Sequence, residues 1–214
     1  MYTLYGFKSS GSVAVEAALI LIGAPYIRVD AALWGDAEEQ ARARAANPLG
    51  QIPALLLPSG ELMTESAAIL IWLADAHPQA GLAPGLQSPR RPAFLRWMAY
   101  VAAEIYALYW VRDDLSRLAA DDAHQAVIDQ RTRDRIAFCW RSMDAQVAPG
   151  RFLLGDELSV LDIYVALVSR WKPGRMRFHA EAPRMGEIVR RVDGDPRLAA
   201  LWRDRAPMPQ EAQG

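Results

Sequence analysis

The sequence predicts an α/β domain joined to an all-α domain within one chain. Three observations carry this reading. Over the first 75 residues, short apolar runs alternate with stretches of helical period. The other 139 residues keep a helical period almost throughout. Between them, residues 77–85 include Pro78, Gly81, Pro84 and Gly85 and have no apolar period, which reads as a linker. The expected division is 1–77, a linker at 78–88, and 89–214. Charge follows the same line, with four basic and eight acidic side chains in the first 75 residues and 20 and 17 in the rest.

Taken in order, Tyr2 to Gly6 is a short aromatic and β-branched strand. Ser12 to Ile22 is apolar nearly all round apart from Glu16, the pattern of a helix buried on most sides, and Gly23 and Pro25 stop it. Ile27 and Val29 alternate with Arg28 and Asp30, so the next strand is expected to have one wet face. A polar helix follows around 36–45. Ile52 to Leu57 is a continuous apolar strand, turned at Pro58-Ser59-Gly60 into a short partner over 61–63. Ser66 to Ala76 is a helix with little polar surface. The order β-α-β-α-β-β-α makes a compact α/β layer. Beyond the linker, the period predicts long helices at about 89–115, 121–147 and 159–171, and shorter ones near 183–192 and 196–204. Ser159-Val160-Leu161-Asp162 has the spacing of a capping box that opens the third of these.

With 214 residues, 52% of them apolar and 23% charged, the chain has the composition of a globular protein. Its 24 basic and 25 acidic side chains leave a net charge of −1, with no field to gather nucleic acid or an anionic membrane. Cys139 is the single cysteine and excludes an internal disulfide, which fits a reducing cytoplasm. His77, His124 and His179 are too scattered for metal-ligand spacing, so no metal is expected. The start, Met1-Tyr2-Thr3-Leu4, does not read as a signal peptide. The longest uncharged run, Ala45 to Gly60, is broken by three prolines and does not read as a membrane span.

Three local features can carry chemistry. Lys8-Ser9-Ser10-Gly11-Ser12 leaves the first strand for the first helix, where hydroxyls and backbone N–H groups serve either as an N-cap or as an anion site. In Gly50-Gln51-Ile52-Pro53-Ala54 the proline cannot donate to a strand ladder. A cis bond there would leave the Ile52 N–H and C=O to a peptide-like ligand. Glu65-Ser66 opens the helix over 66–76, with Ser66 as an N-cap or as one side of a carboxylate site.

Asn47-Pro48-Leu49-Gly50-Gln51-Ile52-Pro53-Ala54-Leu55 and Leu62-Met63-Thr64-Glu65-Ser66-Ala67-Ala68-Ile69 are similar to the glutathione-site signature of the cytosolic glutathione transferases. Leu158-Ser159-Val160-Leu161-Asp162-Ile163 resembles that family's capping motif. The resemblance covers nearly the whole chain. It implies a thioredoxin-like N-terminal domain, an all-helical C-terminal domain and a homodimer. It further implies that Ile52 pairs its backbone with the cysteinyl unit of glutathione beside a cis Pro53, with Gln51 close by. Glu65 and Ser66 would hold the γ-glutamyl end.

For catalysis, Lys8 to Val15 looks like the bacterial, serine-type (zeta and theta-like) members, whose catalytic position falls on Ser9, with Ser10 and Ser12 as rivals. Tyr5 sits too early to match the tyrosine classes, and Gly11 stands where cysteine classes have their thiol. Tyr106, Tyr109 and Trp110 share a helix face at i, i+3, i+4, with Arg112 just beyond. They form either the wall of a site for small hydrophobic electrophiles or a plain core stripe. Trp171 to Phe178, basic and aromatic, can border the same cleft. Arg90 and Arg91 read as solvated surface, and Arg96, Trp97 and Tyr100 as a dimer surface. The expected function is a detoxifying transferase that activates the glutathione thiol as a thiolate. The alternatives are a non-catalytic glutathione-binding or regulatory protein, or a glutathione-dependent isomerase or dehalogenase.

Overall fold

A computed structural model describes residues 1–172 and 174–208. Pro173, in the basic and aromatic stretch, and residues 209–214 of the predicted helical domain lie outside the described residues. The N-terminal unit runs β1 (Tyr2–Gly6), α1 (Ser12–Ile22), β2 (Tyr26–Asp30), α2 (Ala37–Ala46), β3 (Ala54–Leu56), β4 (Leu62–Met63) and α3 (Ser66–Ala76). Its sheet has the order β2-β1-β3-β4, with β1 parallel to β2 and antiparallel to β3.

The alternation along β1 sorts its side chains between two cores. Tyr2 and Leu4 join the main core with α1 and α3, while Tyr5 and Phe7 pack against Ala31, Ala32, Ala43 and Ile52 on the α2 side. An Asp36–Glu39 capping box opens α2. Strand β3 is shorter than the predicted 52–57, because Pro53 has no N–H for the ladder and Leu57 turns to bond the Glu61 carbonyl. The polar side of β2 is partly wet, with the Arg28 and Asp30 side chains 39% and 44% exposed, but it also serves the core. Tyr26 and Arg28 reach the buried Glu16 of α1, while Ile27 on this edge strand is 48% exposed.

The helical unit contains α4 (Arg91–Tyr100), a π-helical stretch (Val101–Tyr106), α5 (Ala107–Asp113), α6 (Asp122–Gln146), α7 (Val160–Val168), α8 (Arg175–Glu181), α9 (Pro183–Asp193) and α10 (Ala199–Arg205). The predicted helix 89–115 is thus continuous over 91–113, with a π turn inside. Helix α8 was not expected. Arg175, which opens it, is buried and paired with Asp193 of α9, so a basic residue sits at a core position that periodicity reads as polar. Burial pushes Arg175 down to about 10, although Asp193 opposes this. Arg91 is also corrected from surface to core, since its guanidinium grips the Asp75 carboxylate with two bonds and ties α4 to α3. Trp97 is likewise buried, and the Tyr100 hydroxyl donates to the Cys139 carbonyl, so of the three expected dimer residues only Arg96 is exposed.

Helix α7 is buried over its whole length and touches α1, α3, α4 and α9, which makes it the keystone between the two units. Asp162 sets its start. That carboxylate accepts from the Ser159 N–H and hydroxyl and from the Leu153 N–H, and it is fully buried. Among the described residues, no helix is long and apolar enough to cross a membrane.

Burial pushes the Asp162 carboxyl up to about 6, against those hydrogen bonds. The folded protein therefore holds this proton over a range in which the unfolded chain, with a carboxyl near 4, has released it. Stability should fall as pH rises through this window. Urea unfolding of the wild type relative to Asp162→Asn, which does not titrate, should show a loss of about 3 kcal/mol between pH about 4 and about 6. A difference that stays flat or grows with pH would contradict this.

Candidate active site

A cleft of about 1050 Å³ opens between the two units. From the N-terminal side it is bordered by the turn into α1 (Lys8, Ser9, Ser10), by Gln51, Ile52 and Pro53, and by Glu65 and Ser66. The facing wall holds Tyr106, Tyr109, Trp110, Arg112, Tyr164 and Trp171. The site residues singled out in the sequence thus border one cleft, except the rival Ser12, which is buried and does not line it.

The three serines differ in what they touch. Ser10 Oγ donates to the Phe7 carbonyl at 2.7 Å and lies 2.8 Å from Ser12 Oγ, which bonds both the N–H and C=O of Phe7. Both hydroxyls are spent on holding the β1–α1 turn. Ser9 is exposed, and its hydroxyl has no protein partner among the described residues. Its backbone is left-handed (φ 57°), and its N–H donates to the Arg205 carbonyl at 2.7 Å. The N-cap residue of α1 is Gly11, which has no side chain to cap it. Ser10 and Ser12 therefore hold the turn from outside the N-cap position: Ser10 Oγ also accepts from the Ser12 N–H at 3.3 Å, and the Val13 and Ala14 N–H groups bond the Ser10 and Gly11 carbonyls. Gly11 is required where it stands, because a Cβ there would come within 2.4 Å of the Tyr106 hydroxyl.

The Ile52–Pro53 bond is cis, and Ile52 has no backbone hydrogen-bond partner among the described residues. Asn47 holds the loop before it, accepting from the Leu49 N–H and donating to the Gln51 carbonyl at 3.0 Å. The N-cap reading of Ser66 is corrected as well. The N-cap residue of α3 is Glu65, with φ 64°, and Ser66 is the first helical residue. Ser66 Oγ instead lies 2.9 Å from the Tyr164 hydroxyl of α7.

On the facing wall, Trp171 collects the aromatic rings. Tyr106 and Tyr109 meet it edge-on at 4.9 and 5.1 Å, and the Tyr109 hydroxyl donates to its carbonyl. Arg170, next in sequence, pairs with the same Asp193 as Arg175 and so anchors this loop. Burial pushes the Tyr106 and Tyr109 phenols well above their ordinary range, and they stay neutral donors. Trp110 is 46% exposed at the rim under the Arg117 guanidinium. Arg112 borders the cleft but pairs with Asp129 at 2.7 Å, so its charge is already balanced. Burial raises the carboxyl of Asp113, against Arg117 and Arg112.

Asn47, Tyr164 and Trp171 at these contacts were not assigned from the sequence. Asn47 lies within the quoted motif, and Trp171 within the stretch expected to border the cleft. Tyr164 meets Ser66 across 98 residues, a distance no local pattern reports. The arrangement offers the Ser9 hydroxyl to an anion near the start of α1, an open backbone to an extended peptide at Ile52, and an aromatic face to an apolar group.

Residues 9–76 match the family model for the glutathione S-transferase N-terminal domain. Over 203 residues the chain is 30% identical to the uncharacterized GST-like protein YncG of Escherichia coli (strain K12), covering 92% of this chain and 95% of that one. Among solved structures, a glutathione transferase homolog from Sulfitobacter with bound glutathione superposes with a TM-score of 0.81 at 27% identity, covering 94% of this chain and 96% of the other. A sphingomonad glutathione S-transferase complexed with glutathione gives a TM-score of 0.74 at 26% identity, over 94% and 97%. With its fold, its cleft and its full-length relative in agreement, the chain belongs to the glutathione S-transferase family.

Proposed function

We propose that residues 1–77 hold glutathione as co-substrate, without a metal, and that residues 89–214 bear the wall against which a small hydrophobic electrophile lies. One observation supports this most: the free Ser9 hydroxyl, the unpartnered Ile52 backbone and the open first turn of α3 all face one aromatic wall. The cysteinyl unit pairs with the Ile52 N–H and C=O beside Pro53, with Gln51 next to it. Glu65 and Ser66 take the γ-glutamyl end, the carboxylate for its amine and the hydroxyl for its carboxylate.

This seat directs the sulfur to the start of α1. A free thiol has a pKa of about 8.5, so only a few per cent is thiolate at neutral pH. A hydroxyl donor and the positive end of a helix both favour the anion. Ser9 supplies the donor, and Ser10, whose proton goes to Phe7, holds the turn. The thiolate attacks an electrophilic carbon held against Tyr106, Tyr109 and Trp110. A C–S bond forms while the leaving group departs or the neighbouring atom takes a proton from water. Arg112 contributes its stem rather than its charge. A hydroxyl without a structural duty at this point favours catalysis over simple binding. Isomerase or dehalogenase chemistry would use the same thiolate, and a substrate panel separates them. The setting is the reducing cytoplasm, and the assembly a homodimer. Sedimentation at the mass of one chain at micromolar concentration would rule out that dimer.

Following the thiolate absorbance of bound glutathione against pH tests the central role. Ser9→Ala should raise the apparent pKa of the bound thiol by about 1.5, equivalent to about 2 kcal/mol, with little change in affinity. Ser10→Ala should perturb stability rather than the titration. If Ser10→Ala alone moves the titration, the role passes to Ser10. If neither does, hydroxyl activation is wrong.

A further inference from the structure

Ser66 is buried, yet its hydroxyl already has a partner on the other domain, the Tyr164 hydroxyl at 2.9 Å. Each hydroxyl carries one proton, so the pair has two arrangements. With Ser66 donating to Tyr164, Ser66 Oγ turns only lone pairs toward the cleft. With Tyr164 donating to Ser66, the Ser66 proton is free to point there. A carboxylate only accepts hydrogen bonds, so the second arrangement alone binds it.

The surroundings of Tyr164 suit it to the donor's part. Its side chain is 1% exposed, and its ring stacks on Tyr106 at 6.1 Å, which holds the ring against rotation. Burial keeps its phenol well above the ordinary range and therefore protonated, although Ser66 opposes the shift. We propose that Tyr164 is a positioning residue for the carboxylate of the bound tripeptide, its hydroxyl donating to Ser66 Oγ and thereby turning the Ser66 proton toward the ligand. This rests on the proposed seat of the γ-glutamyl carboxylate at Ser66. It makes α7 part of the glutathione site without touching glutathione.

The test compares two ligands by calorimetry: glutathione, and an analogue in which hydrogen replaces the γ-glutamyl α-carboxylate. Tyr164→Phe should weaken glutathione about fivefold and leave the analogue within about twofold, because only the carboxylate reads the Ser66 proton. In a Ser66→Ala background, Tyr164→Phe should cost glutathione nothing more. Loss of packing would weaken both ligands alike, and that result overturns the proposal, as does an undiminished Tyr164→Phe effect without Ser66. If Ser66→Ala leaves the ratio of the two affinities unchanged, the carboxylate is seated elsewhere and the proposal falls with that reading. Thermal melts of the variants confirm that each compared protein is folded.

Discussion

Helix α1 buries a single charge, Glu16, and groups from two other elements converge on it. The Tyr26 hydroxyl and the Arg28 guanidinium reach it from β2 at 3.1 and 3.2 Å, and Arg205 reaches it from α10 at 3.4 Å. A carboxylate at this depth is tolerated only while paired, and removing one partner of such a pair typically costs about 3–5 kcal/mol. The pairing therefore fixes where α10 ends. That end matters because the Arg205 carbonyl accepts the Ser9 N–H at 2.7 Å and holds Ser9 in its left-handed conformation. A charge in the middle of α1 thus sets, through α10, the conformation of Ser9 in the turn that leads into α1. Around this pairing, Val13, Val15 and Leu19 are fully buried, each contributing about 1.5–3 kcal/mol, so the helix cannot shift without disturbing both units.

The facing wall is held by equally specific means. Gly11 gives the Tyr106 hydroxyl room at the start of α1, and the π-helical stretch delivers Tyr106 to that place. Trp171 stands beside it because Arg170 and Arg175 share Asp193 behind the loop. The cleft therefore joins a polar rim built from backbone and hydroxyls to an aromatic floor whose phenols are neutral. Such a site suits a peptide-shaped anion on one side and an apolar partner on the other.

Much of this was legible in the sequence, and the exceptions share a cause. Strand β1, the all-round burial of α1 and the Ser159–Asp162 box follow from period, punctuation and capping chemistry, which are local. The N-terminal border of the cleft was legible because Gln51-Ile52-Pro53 and Glu65-Ser66 stand in a recognisable spacing. Polar residues serving the core were not. Arg91 and Arg175 look solvated until Asp75 and Asp193 are brought to them by the fold, and Glu16 is buried on α1 because Arg28 of β2 reaches it. Which serine hydroxyl lacks a protein partner was equally hidden, since it turns on the Phe7 carbonyl taking the Ser10 proton. Trp97 reads as an interface aromatic from its type alone, yet it is core.

The most direct measurement is a crystal structure of the protein with glutathione bound. The sulfur should lie within hydrogen-bond reach of Ser9 Oγ at the start of α1, with the cysteinyl backbone on Ile52 and the γ-glutamyl carboxylate on Ser66. A tripeptide bound outside this cleft, or one whose sulfur points away from the α1 entry, would contradict the account.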